Sequence, residues 1–213
     1  MKLETIERWG VVDRINHWLL FAGVLLGMTT GLPLFYPEIF GFVNRLLPPI
    51  AVINSTTGPH LGGAVLLIAA ATLHFVHGLV KKRTSVFPNR KDVTDFIAIT
   101  RHWFDPSKKY PLLGFHHPGE KAVYWGGAVF GLILLGMSGM VLWFTNVFPG
   151  YQTGALIVHD LGFGIVSVLV LGHFLQGITR KNWPSLKAMI ITGVVPLSWA
   201  KPRHPLWTAK ATK

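Results

Sequence analysis

Four apolar stretches in this chain are each long enough to cross a bilayer, which takes about 20 helical residues. They cover residues 18–36, 61–80, 122–144 and 156–178. Inside lipid every backbone N–H and C=O must be paired within the protein, and a helix does this segment by segment. The reading is therefore an all-α integral membrane protein: a four-transmembrane-helix bundle, one domain over residues 1–213. Breakers sit between the runs: "GLPLFYP" closes the first, Asn54 to Pro59 precede the second, "HHPGEK" precedes the third and "NVFPG" separates the last two. The N-terminal "MKLETIERWGVVDRINHW" lacks the apolar core and small-residue cleavage site of a signal peptide, so none is expected.

Charge sets the orientation. Of the 20 Lys and Arg, only Arg45 falls between the first and second runs, and none falls between the third and fourth. The other 19 lie in the N-terminal segment, the 81–121 loop and the 179–213 tail. The positive-inside rule then puts both termini and the long loop on the cytoplasmic side of the inner membrane. This distribution accounts for the net charge of +11 without nucleic acid as a partner. Two shorter segments read as interfacial helices. "DVTDFIAITRHWF" places Val93, Phe96, Ile97, Thr100, Trp103 and Phe104 on one face. "SLKAMIITGVV" is apolar but too short to be a fifth span. No internal repeat is read beyond the histidine spacing.

The chain has no cysteine, which excludes disulfides, Cys-ligated clusters and covalent haem attachment through C-x-x-C-H. It has ten histidines, and His17, His60, His74, His159 and His173 lie in or at the edges of spans, with His77 near the end of the second. Ionisable groups are costly there and are functional candidates by default. His159 and His173 are 14 residues apart, as are His60 and His74. Fourteen helical residues rise roughly 21 Å and return within about 40° of the same face. Two flat cofactors stacked across the membrane, each taking imidazoles axially, require that pattern, and two haem b groups fit it. Gly62, Gly63, Gly162, Gly164 and Gly172 beside the histidines would admit the macrocycles; close helix packing explains most of the other glycines. By depth His60 and His159 pair on the outer side. His173 pairs on the inner side with His17 or His74, and depth alone slightly favours His74. Asp160 reads as a helix-start or partner-facing residue.

"DRINHW", "GPHLGG", "GEKAVYW", the H-x13-H of the fourth run and "SLKAMIITG…WAKPRHPLW" occur in order along nearly the whole chain. Together they resemble the cytochrome b (gamma) subunit of membrane-bound formate dehydrogenases. The resemblance implies that His17 and His173 hold the cytoplasmic haem and that His60 and His159 hold the outer one, which leaves His74 and His77 extra to the family pattern. It also implies a quinone site, for menaquinone or ubiquinone, near the inner haem. There the family's Asn and Gln are replaced here by His117 and Glu120, which can still offer hydrogen bonds and protons. The plainer reading is a solvated loop, with Glu120 at a positive helix N-terminus.

The function so implied is an electron-transfer membrane anchor with no substrate-oxidising site of its own. It would take electrons from a periplasmic iron–sulfur subunit, served by a molybdenum- or tungsten-pterin catalytic subunit, and pass them to quinone. A related alternative is the cytochrome b of a nickel–iron hydrogenase or a thiosulfate or polysulfide reductase. A remote one is an intramembrane metal-binding protein or transporter using His74-x-x-His77.

Overall fold

A computed structural model describes residues 4–46 and 57–211. Lys2, Lys213 and the Asn54 end of the second breaker lie outside the described residues. Among the described residues the main helices are α1 (Val11–Phe35), α2 (Thr57–Val80), α3 (Arg90–Phe104), α4 (Pro118–Trp143) and α5 (Gln152–Gly177), followed by the short α6 (Leu197–Arg203) and α7 (Pro205–Ala211). α1, α2, α4 and α5 are the four apolar helices long enough to span a membrane. They start four to seven residues before the apolar runs do, because polar residues such as Asp13, Asn16 and His17 occupy their first turns. Two strands, β1 (Thr5–Glu7) and β2 (Val194–Pro196), pair antiparallel with Ile6 opposite Val195. This small sheet is an addition to the all-helical expectation.

The chain forms two compact units. One contains Val11–Val80 and Gly131–Val168, that is α1, α2, the end of α4 and the start of α5. Small residues bring its helices together. A Cβ on Gly63 would stand 3.0 Å from the backbone nitrogen of Gly27, so α1 and α2 touch nearly backbone to backbone there. A Cβ on Gly131 would meet Val166 at 2.6 Å, and one on Gly162 would meet Leu134 and Leu135. Such contacts replace the hydrophobic driving force that lipid removes. Leu25, Val65, Ile68, Ile133, Met137 and Leu161 remain exposed, as apolar faces that meet lipid tails would be.

The other unit holds the N-terminal segment up to Gly10, Lys81–Phe130 and the chain from Leu169 on. Asn89 and Asp92 cap α3 reciprocally. The helix buries Ile99 and leaves Val93, Phe96, Ile97, Trp103 and Phe104 exposed, which is the amphipathic face read from the sequence. Lys121, 8% exposed, bonds both carboxylate oxygens of Asp92 at 2.9 Å, tying the start of α4 to the start of α3. Tyr124–Val129 of α4 takes a π-helical turn, and Gly127 there packs on Leu169. The "SLKAMIITGVV" segment differs from expectation. Ala188 and Val195 are fully buried with Ala200 in a small core, against Ile6, Trp9, Trp199 and Trp207. Gly193, at φ +76°, ends the helical turn, and its carbonyl accepts from the N–H groups of Arg8 and Trp9. The segment therefore folds onto its own N-terminal strand rather than lying alone on a membrane surface.

Candidate functional site

His60 on α2 and His159 on α5 meet with ring centroids 6.0 Å apart and planes at 65°. Each is held from behind by a neighbouring helix. His60 Nδ1 lies 3.1 Å from the Gly27 carbonyl and 3.1 Å from Thr30 Oγ1. His159 Nδ1 lies 3.0 Å from Ser138 Oγ. Both hydroxyls already donate to their own helices, Thr30 to the Leu26 carbonyl and Ser138 to the Leu134 carbonyl, each at 2.6 Å. With their protons committed, the hydroxyl oxygens can only accept. Both imidazoles therefore carry their proton on Nδ1 and leave the Nε2 lone pair free, the form a metal takes. Space is made by Gly31 and Gly139, whose missing Cβ atoms would come within 3.2 Å and 3.4 Å of the His60 and His159 Cε1 atoms.

The residues present fit a haem iron by their chemistry. The donors are neutral nitrogen, a set suited to haem iron.

Thr30, Gly31 and Ser138 were missed from the sequence, where intramembrane hydroxyls are commonly explained by bonding to their own helix. The signal was present: "GMTTG" in α1 and "GMSG" in α4 put a hydroxyl and a glycine after the same Gly-Met.

His77 Nδ1 sits 3.3 Å from the buried Asp13 Oδ1, so its polar demand is met within the same unit. Among the described residues no group of three or more His, Asp or Glu is disposed to hold a metal ion. His17 and His74 belong to the unit that holds the His60–His159 pair, and His173 to the other. Asp160 lies well inside α5, which begins at Gln152, so it is not a helix-start residue.

His117 is the N-cap of α4, and Glu120 lies in its first turn. They form a capping box: Glu120 Oε2 accepts from the His117 N–H at 3.1 Å, and His117 Nδ1 accepts from the Gly119 N–H at 2.9 Å. Accepting at Nδ1 places the His117 proton on Nε2, which lies 3.5 Å from the Tyr110 hydroxyl. Burial lowers the His117 pKa, partly offset by Glu120. Glu120 is thus engaged as a helix cap, while the His117 Nε2–H lies beside the Tyr110 hydroxyl.

Four apolar helices and a neutral, pre-oriented imidazole pair define a class: multi-pass all-α membrane proteins equipped to ligate a metal macrocycle. Residues 8–191 match the family model for prokaryotic cytochrome b561, and the chain belongs to that family. It is accordingly a haem b protein of membrane electron transfer. It is similar to the cytochrome b556(fdo) subunit of formate dehydrogenase from Escherichia coli K12, at 26% identity over 99% of this chain and 95% of the relative. It is also 26% identical to the cytochrome b556 subunit of formate dehydrogenase from Haemophilus influenzae, over 91% of this chain and 78% of that protein.

Proposed function

We propose that this chain is the dihaem cytochrome b subunit of a formate dehydrogenase complex in the inner membrane. It would connect a periplasmic iron–sulfur and molybdenum- or tungsten-pterin pair of subunits to a quinone near the cytoplasmic side. The observation that carries this reading is the near-full-length similarity to formate dehydrogenase cytochrome subunits, with the spaced histidines falling inside the aligned chain. The distribution of Lys and Arg supports cytoplasmic termini.

When bound, haem b supplies a one-electron carrier. His60 and His159 would hold the outer haem through Nε2, oriented by Thr30, the Gly27 carbonyl and Ser138. His17 and His173 are assigned the inner haem, with His74 as the alternative to His17. That assignment rests on sequence resemblance. At the quinone, the neutral His117 would donate a hydrogen bond from Nε2, its Nδ1 being held by the Gly119 N–H. Glu120 holds the cap that sets this orientation.

Membranes from a strain lacking this chain test the reading. Formate-dependent quinone reduction should disappear while formate oxidation by a soluble dye persists. Quinone reduction that survives the deletion, or that depends on hydrogen and not on formate, would contradict it. The hydrogen result would favour the hydrogenase alternative.

A further inference from the structure

The loop that carries His117 is held by both ends of the chain. Three successive carbonyls before it each accept a hydrogen bond: Leu113 from the Leu206 N–H at 3.1 Å, Gly114 from His204 Nδ1 at 2.7 Å, and Phe115 from Arg8 Nη2 at 3.4 Å. Arg8 belongs to the N-terminal segment; His204 and Leu206 belong to the tail. The Arg8 side chain is 1% exposed, and its Oε1 partner on Glu120 lies 3.7 Å away. Its guanidinium carbon sits 5.0–5.6 Å from the ring centres of Trp9, Phe115, Trp199 and Trp207. Two of its nitrogens, Nε and Nη1, are buried without a hydrogen-bond partner.

Structure alone gives no reason for so expensive an arrangement. Burying a cation with donors unpaired costs free energy that four cation–π contacts and one long ion pair only partly return. An apolar side chain could fill the aromatic cage more cheaply. What the charge adds is direction: it draws the Phe115 carbonyl and the Glu120 carboxylate toward one point. Glu120 in turn fixes the His117 backbone, and Gly119 fixes the His117 ring with its proton on Nε2, beside the Tyr110 hydroxyl.

We propose that Arg8 and His204 are positioning residues for His117, so that the two chain termini together set the geometry of the quinone-facing loop. The inference rests on the reading of His117 as a quinone contact. Neither residue touches the quinone; each acts by holding the carbonyls of the loop that leads into the His117 cap.

The test uses the intact formate dehydrogenase complex carrying wild-type chain, R8Q, H204A, H204N or H117Q. Steady-state kinetics with decylubiquinone give KM and kcat. Fluorescence quenching of 2-heptyl-4-hydroxyquinoline N-oxide gives the affinity of the site, and haem content controls for assembly. R8Q and H204A should each raise KM and the inhibitor Kd about tenfold, the effect of one lost positioning bond. kcat and haem content should stay near wild type. H204N offers an amide N–H near the position of Nδ1 and should recover most of the loss.

Wild-type KM and Kd in R8Q and H204A, with both raised in H117Q, would overturn the inference and leave the quinone reading intact. Wild-type values in H117Q as well would remove the quinone reading itself. If R8Q fails to assemble, the H204A–H204N comparison decides: an H204N variant as impaired as H204A would show a packing effect and overturn the inference.

Discussion

In the proposed outer haem site, the hydroxyls beside His60 and His159 donate to their own helices and so accept from the imidazoles. Ser138→Ala should therefore weaken haem retention at this site by about 10–100-fold, the usual effect of losing a group that orients a ligand. Thr30→Val should do less, because the Gly27 carbonyl still holds His60. Haem content after dilution into apo-myoglobin as an acceptor measures both. A second residue-scale effect concerns His204. Burial, then the charge of Arg8, lowers its pKa to about 4. Its unfolded value is near 6.5, so the folded state binds fewer protons between these limits. Stability of the tail is full above about pH 6.5 and falls as pH drops toward about 4, with no further contribution below. Hydrogen exchange across α6 and α7, corrected for intrinsic rates, should lose protection over that window, and His204→Asn should flatten the change.

Glycine contacts decide the helix packing, and not every glycine matters equally. Gly63 lies against the Gly27 backbone, whereas a Cβ on Gly27 would meet nothing within 4 Å. Gly63→Ala should cost about 1–3 kcal/mol through overpacking, and Gly27→Ala should be nearly neutral, as read by thermal loss of haem absorbance. For α3, Phe104 is 87% exposed and Trp103 69% exposed beyond a capped start. In bilayers, brominated lipid should quench Trp103, and Phe104→Asp should reduce that quenching. These elements were legible for physical reasons. A run of apolar residues broken by Pro and Gly has few alternatives in lipid, and the α3 face follows from its period. The β1–β2 pair was not legible: three-residue strands carry too little periodicity, and their partners lie nearly a chain length apart. The helix-start place of Glu120 was read as the plainer alternative; its bond to the His117 N–H was not, because it depends on where the loop turns.

At the scale of the whole molecule, His60 and His159 were readable as a pair because spacing and depth are linear in a membrane helix. Their supporting hydroxyls were hidden, since a Ser or Thr bonded to its own helix looks complete. All the haem ligands are proposed; the outer pair has its ring contact in support, while for the inner pair resemblance favours His17 and depth favours His74. The account predicts an electron carrier whose two haem sites can be removed separately. The direct measurement is a dithionite-reduced minus air-oxidised spectrum with pyridine haemochrome quantitation on wild type, His60→Ala and His159→Ala. The expected result is two haem b per chain in the wild type and one in each variant, with the remaining b-type band still reducible. Wild-type protein without reducible b-type bands, or undiminished haem in both variants, would contradict it.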